Sequence, residues 1–318
     1  MYTKFKKLSA IILTLILAFS FVGCGNNKNA TKDNQENATI EKKENTKYPL
    51  TIKDSSGRDI TIDKEPQKII SVGPNITETI YYLGKMNKLI GRTDFCDFPK
   101  EVKDVQSIGT LQQPNIEKIV DLKPDLVIGS THFPKEMLEK LESLGVKVVV
   151  LYGKEDFEGA YNTIEKLGEV LNANDKAFEV INNMKKKVED VKAKVAGKET
   201  PSVYYVIDFG PYGDFTAGSD TFIDKMITMA GGNNIAKDAV NWKYSVEKVL
   251  EKNPDMVICP VYFDYKKRLQ EAKGYKDLDA IKKGNLFEID NNMLDRQGPR
   301  LADGLEAMAK IVHPEAFK

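Results

Sequence analysis

NIEKIVDLKPDLVIGSTHF occupies residues 115–133 and returns as SVEKVLEKNPDMVICPVYF at residues 245–263. Glu-Lys, Pro-Asp, Val-Ile and the final Phe coincide, and most other positions exchange like for like. Each copy reads as a short helix, a Pro-Asp turn and a buried strand. A weaker echo precedes each: TIYYLGKMNKLIG at 79–91 and MITMAGGNNIA at 226–236. Two copies fall short of the three stacked units that a solenoid needs. They suit two similar lobes facing each other, with a ligand site in the cleft between them. Glu117 and Glu247 then stand at equivalent points of the two lobes.

Outward from the first copy the chain alternates strand and helix. Residues 69–72 read as a short strand, and 76–83 as a helix that stops at Gly84. Residues 125–129 and 146–151 are apolar runs too short for helices, with a helix at 135–144 between them. In front lies a hairpin, LTIKD-SSG-RDITI at 50–62, with Gly57 in its turn. The second lobe reads as a strand at 202–208, a helix at 222–230, the repeat, a strand at 285–290 and a closing helix at 301–312. This rhythm implies an α/β fold with mostly parallel sheets covered on both faces.

Between the copies, Ala177, Ile181, Met184, Val188, Val191 and Val195 recur at spacings of four, three, four, three and four. That is one amphipathic helix over residues 174–195, roughly 33 Å long at 1.5 Å per residue. It holds no Pro or Gly at which to bend, so it predicts a stiff strut between the lobes. The expected fold is two Rossmann-like lobes, at 49–173 and 198–318, joined by one long rigid helix at 174–197.

Residues 1–23 have the shape of a secretory signal: Lys4, Lys6 and Lys7, then an apolar run at 8–22 that is short for a membrane span. The run ends Phe21-Val22-Gly23-Cys24, which resembles a bacterial lipobox with Cys24 as the lipidated residue. Residues 24–48 then read as a disordered tether, rich in Asn, Lys, Glu and Thr and poor in apolar residues. The formal net charge is zero, and without the three leader lysines the balance is 44 basic to 47 acidic residues, or −3. No basic domain marks a nucleic-acid partner. Cys96 and Cys259 fall in different lobes, where a disulfide would lock the cleft, so both are expected as free thiols.

No catalytic signature stands out. There are two histidines, and no His-Glu-x-x-His, Gly-x-Ser-x-Gly, P-loop or Gly-x-Gly-x-x-Gly. The loops at strand ends carry the chemistry, where open α/β sheets bind ligands. They hold Pro74 and Asn75, Phe95, Gln112, His132, Phe209 and Tyr212, Trp242, Tyr262, and Arg296. Aromatics with a few polar handles suit a large, flat, partly apolar ligand; they would equally close small cores beneath the loops. A lone His such as His132 is more often a surface or core residue than a ligand, but its place at a strand end keeps contact to a metal complex in play. Arg296 would grip a ligand carboxylate or phosphate, or pair with Asp295 or Asp303. Glu117 and Glu247 fit first-turn helix acids capped by Asn115 and Ser245, and their equivalence suits a partner that is itself two-fold.

KIISVGPNITETIYYLG, DFCDFPKEV, NIEKIVDLKPDLVIG, DFGPYGDFTAGSDTF, AGGNNIAKD, NWKYSVEKVLEKNPDMVI and DRQGPRLADGLEAMAKIVHP follow one another between residues 68 and 314. As an ordered set they resemble the substrate-binding proteins of ABC importers for vitamin B12, ferric siderophores and haem, and most of all the B12-binding members. The resemblance implies the class III periplasmic-binding-protein fold, no catalytic step and no resident cofactor. It implies a lipid-anchored, extracytoplasmic monomer that delivers a cobalamin-like corrinoid to a permease dimer with its ATPase. Glu117 and Glu247 match the acids that dock in arginine pockets of the permease. Phe95, Phe209 and Trp242 match cleft aromatics, and Arg296 the cleft arginine. The B12 binders have Trp where this chain has Leu111 or Gln112, and they differ at Thr131-His132 and Asn292-Met293. A ferric siderophore or haem is the alternative ligand, and an exported enzyme on the same scaffold the remote one.

Overall fold

The computed structural model describes residues 44–131 and 133–318. The expected leader, Cys24, most of the expected tether, and His132 lie outside the described residues. Among the described residues no helix is long and apolar enough to cross a membrane.

A hairpin of β1 (Leu50–Lys53) and β2 (Asp59–Ile62) precedes the first lobe. That lobe runs β3 (Ile69–Val72), α1 (Pro74–Tyr82), β4 (Leu89–Arg92), α2 (Ile116–Asp121), β5 (Leu126–Gly129), α3 (Lys135–Ser143), β6 (Val148–Val150) and α4 (Phe157–Val170). Next comes α5 (Asn174–Val195). The second lobe runs β7 (Ser202–Tyr205), α6 (Phe222–Met229), β8 (Asn233–Asn234), α7 (Val246–Lys252), β9 (Met256–Pro260), α8 (Tyr265–Glu271), α9 (Asp279–Lys282), β10 (Leu286–Ile289), α10 (Asn292–Asp295) and α11 (Leu301–Val312).

The two sheets have the same topology. In the first the order is β4-β3-β5-β6, and in the second β8-β7-β9-β10, all strands parallel. Both read 2-1-3-4, so the repeat seen in the sequence is the α2–β5 unit of one lobe and the α7–β9 unit of the other. The echoes before each copy are the α1–β4 and α6–β8 units. Both central strands of each sheet are buried along their whole or nearly whole length, as a sheet with two covered faces requires.

Helix α5 runs over the 22 residues that the spacing predicts. It buries Ala177, Val180, Met184, Val188 and Val191, with Asp175 in its first turn and Lys192 and Lys194 in its last, each sign facing the favourable end of the dipole. It packs on α4 of the first lobe and α11 of the second. The main core follows it, joining apolar side chains of both lobes, and each lobe keeps a smaller core on its outer face. Phe157 and Phe222 also meet edge-to-face across the lobes, with ring centroids 5.3 Å apart.

Two elements depart from expectation. Strand β7 stops at Tyr205 because the chain then turns aside, where Ile207 and Asp208 pair with Phe215. Residues 292–295, expected as loop, form the short α10. Cys96 and Cys259 are both buried and free, and burial pushes the Cys259 thiol up to about 12.

Candidate ligand cleft

In each sheet the order reverses between the first and third strands, and ligands bind beyond the carboxyl ends of strands at such a point. In the first lobe that point is the end of β3 and β5. Gly73 makes the turn from β3 into α1 at φ 143°; a Cβ there would sit 3.0 Å from the Ser130 Cβ. Glycine therefore lets the two strand ends approach, and Pro74 begins the helix at a position that needs no amide hydrogen. A cavity of about 290 Å³ lies here. Its walls are Pro74, Asn75, Leu111, Ser130, Thr131, Tyr152, Gly153 and Glu155 of the first lobe, with Asp295, Arg296 and Gln297 of the second.

Arg296 is the charged centre of the cleft. Its Nη1 donates to Glu78 Oε1 at 2.7 Å and to Asp97 Oδ1 at 2.6 Å, and its Nη2 to the Phe95 carbonyl at 3.3 Å. Its partners are thus first-lobe residues, not Asp295 or Asp303. Asp303 pairs instead with Lys187 of the strut, and Asp295 accepts from Asn291 at 2.7 Å. Burial disfavours the Arg296 charge, but Asp97 and Glu78 outweigh it and raise the guanidinium above its ordinary value. Burial pushes the nearby Asp295 carboxyl up.

The expected aromatics fall into two groups. Phe95, 66% exposed, stands on the first-lobe rim; Trp242, Tyr262 and Tyr212 stand exposed on second-lobe loops, joined by Phe263. Phe209 lies elsewhere. It is 7% exposed and packs with Tyr265 and Tyr275 at ring distances of 5.5 and 5.4 Å, with the Arg268 guanidinium 4.8 Å from its centre. It is part of the outer core, because the turn after β7 folds it inward. Tyr262 donates to Asp290 at 3.0 Å and accepts from Asn292 at 2.8 Å. Gln112 is exposed, in a turn whose Leu111 faces the cavity.

Trp242 sits in a tight turn. Lys243 donates its amide to Val240 at 3.1 Å, and the central residues Asn241 and Trp242 both have positive φ, 51° and 66°. Such turns favour Asn then Gly. A bulky residue there is strained, and such strain gathers at ligand-holding positions.

Glu117 and Glu247 occupy matched helix starts. Asn115 caps the Lys118 amide at 2.9 Å, Ser245 that of Lys248 at 3.4 Å. The burial pattern over 115–119 repeats over 245–249. Both acids are exposed, and among the described residues neither carries an ion pair. Because α2 and α7 run antiparallel to the strands that follow them, their starts lie on the cleft edge of each sheet.

Sequence reasoning missed Glu78, Ser130, Tyr152, Gly153, Glu155 and Gln297. Tyr152 and Gly153 carried a signal, since they follow β6 at its carboxyl end. Glu78 carried none, being one acid within a helix.

The family model described as "Periplasmic binding protein" matches residues 69–293. The uncharacterized ABC transporter substrate-binding lipoprotein YvrC of Bacillus subtilis is 34% identical over 98% of this chain and 99% of its own length. A cobalamin-binding protein of Halobacterium salinarum is 26% identical over 84% of this chain and 74% of its own. Among solved structures, a periplasmic heme-binding protein of Pseudomonas aeruginosa matches with TM-score 0.69 and 27% identity, covering 78% of this chain and 93% of its own. The vitamin B12-binding protein BtuF of Vibrio cholerae matches with TM-score 0.66 and 22% identity, covering 80% and 98%, a likeness of fold.

Proposed function

This chain belongs to the periplasmic binding protein family, as a substrate-binding component of an ABC importer, and on that footing we propose that it delivers a cobalamin-like corrinoid. It is a transport component, not an enzyme; its partners are a small ligand and a permease.

The observation that carries the corrinoid is the pair of aromatic rims. Phe95 on one lobe and Tyr212, Trp242 and Tyr262 on the other are exposed loop aromatics, and the cavity has a polar floor of Asn75, Gln297 and Arg296. A flat macrocycle edged with amides stacks on such rings and hydrogen-bonds to such a floor. The cavity of about 290 Å³ would take part of that ligand, and exposed loop aromatics would cover more of it. The cobalamin and vitamin B12 binders among the relatives support the reading. Haem is the second reading, favoured by the 27% identity to a heme-binding structure; it would draw on His132 and Arg296.

In this reading Glu117 and Glu247 dock the two lobes on the permease dimer. Residues 1–23 are the leader, Cys24 carries the lipid outside the cytoplasm, and residues 24–48 are the tether. The lobes are 49–173 and 198–318, joined through 174–197, and the protein acts as a monomer. Titration of the chain from residue 25 with cyanocobalamin, haem and a ferric siderophore, followed by Trp242 fluorescence, tests the ligand. Saturable quenching by cyanocobalamin alone is expected. Tight binding of haem or siderophore with none of cyanocobalamin overturns it.

A further inference from the structure

Arg296 makes two kinds of contact. Glu78, 1% exposed, is a fixed partner: Arg300 Nε and Nη2 hold its two oxygens at 2.9 and 2.7 Å, and Arg300 is itself nearly buried. Asp97 is different. Its side chain is 45% exposed, it lies on the rim loop of the opposite lobe, and among the described residues Arg296 is its one ion-pair partner. The same guanidinium also takes the Phe95 carbonyl of that loop. One cation in the cleft thus ties the outer part of the loop that carries the exposed Phe95 ring, while the buried Cys96, and Phe98 under Arg300, anchor its base.

We propose that Asp97 is an internal stand-in for an anionic group on the ligand: it caps Arg296 in the free protein and yields the guanidinium to a ligand phosphate or carboxylate. The inference rests on the ligand reading above for the identity of that group. Glu78 stays behind as the buried countercharge and keeps Arg296 aimed. Release of Asp97 and of the Phe95 carbonyl loosens the tip of the rim loop, so that Phe95 can turn against the ligand. Asp97 is then a specificity-determining residue. It competes with an anionic group on the ligand and leaves ligands without one unaffected, because such a ligand gains nothing by displacing it.

The test compares two corrinoids that differ in this respect. Cyanocobalamin carries a phosphodiester, and dicyanocobinamide lacks it. Removing the competing charge by Asp97→Asn should tighten cyanocobalamin about two- to fivefold, the span of a half-exposed ion pair. Dicyanocobinamide affinity should not change. Equal gains for both, or a loss for cyanocobalamin, overturns the proposal. If the wild-type chain binds neither corrinoid, the ligand reading fails, and the latch is decided without ligand. Hydrogen exchange over residues 93–99 in the free protein should then be faster in Asp97→Asn than in wild type. Unchanged exchange overturns the latch as well.

Discussion

Glu78 of α1 and Arg300 at the start of α11 form a two-point pair across the lobes, with Arg300 Nε 2.9 Å from Oε2 and Nη2 2.7 Å from Oε1. The Arg300 guanidinium also lies 4.3 Å from the centre of the Phe98 ring. This pair joins the second lobe to the first at a point apart from the strut.

Glu78→Ala leaves two arginines beside an empty site. Removing one partner of a buried pair typically costs about 3–5 kcal/mol, and that loss is expected in denaturant unfolding. The double change Glu78→Leu with Arg300→Met should recover only part of it, since the charges of the couple are gone but Arg296 keeps Asp97 alone. A loss under about 1 kcal/mol for the single change would show that the pair is not a clasp.

Glu65 contributes to the acid limb of stability. Burial opposes its charge, but hydrogen bonds from Lys88, Asn172 and Lys85 outweigh it and lower the carboxyl from 4.5 to about 2. A carboxyl lowered on folding stabilises fully above its unfolded value and loses that contribution as pH falls through the folded one. The window is therefore pH 4.5 down to about 2. Glu65→Gln should cost about 1–3 kcal/mol at pH 7, as charged hydrogen bonds do. The gap to wild type should close across that window in unfolding curves taken at stepped pH. A gap independent of pH counts against the assignment.

Local pattern made the scaffold legible, and long-range contact hid the site. Helix α5 could be read to the residue because its apolar spacing is an intrinsic property of the segment. The repeat revealed two lobes of one topology because each α–β unit buries the same face. The Glu78–Arg300 pair joins residues 222 apart, and no periodicity encodes such a meeting. Phe209 was legible as a strand-end aromatic but not as core, because Tyr265 and Tyr275, which enclose it, come from later elements. The turn at Trp242 was hidden for another reason. VNWKYS lacks the Gly that advertises positive φ, so the strain shows only in the folded backbone.

That strain sets up a substitution with opposite effects on binding and stability. Trp242→Gly should weaken cyanocobalamin binding by about 1–3 kcal/mol, as loss of a central aromatic does. Because glycine relaxes the positive φ, the melting temperature should hold or rise. Titration and thermal unfolding of the same sample check both. Unchanged affinity removes Trp242 from the site, and a large drop in melting temperature means its ring serves packing.

The proposed anchor rests on the apolar run ending in Gly23-Cys24. Cys24→Ala should release the protein from membranes or leave the leader uncleaved. Fractionation with an immunoblot for size reads both. Normal retention of a normally processed variant would count against lipidation.

The matched acids give the test of docking. Glu117 and Glu247 are exposed, carry no ion pair among the described residues, and begin helices at the same place in two like-folded lobes. As helix-terminal charges alone, each is worth about 0.3–1 kcal/mol of stability, and loss of either would leave transport normal. As docking groups they meet arginines in a closed interface, where paired contacts are strong and directional. Glu117→Arg or Glu247→Arg should then impair uptake while affinity for ligand in the free protein stays nearly constant. The double change should be worse than either single one, because each lobe would repel its own permease subunit. Uptake by cells and ligand affinity of the purified variants, measured side by side, separate the two cases. Normal uptake with the folded double variant would remove both acids from the interface.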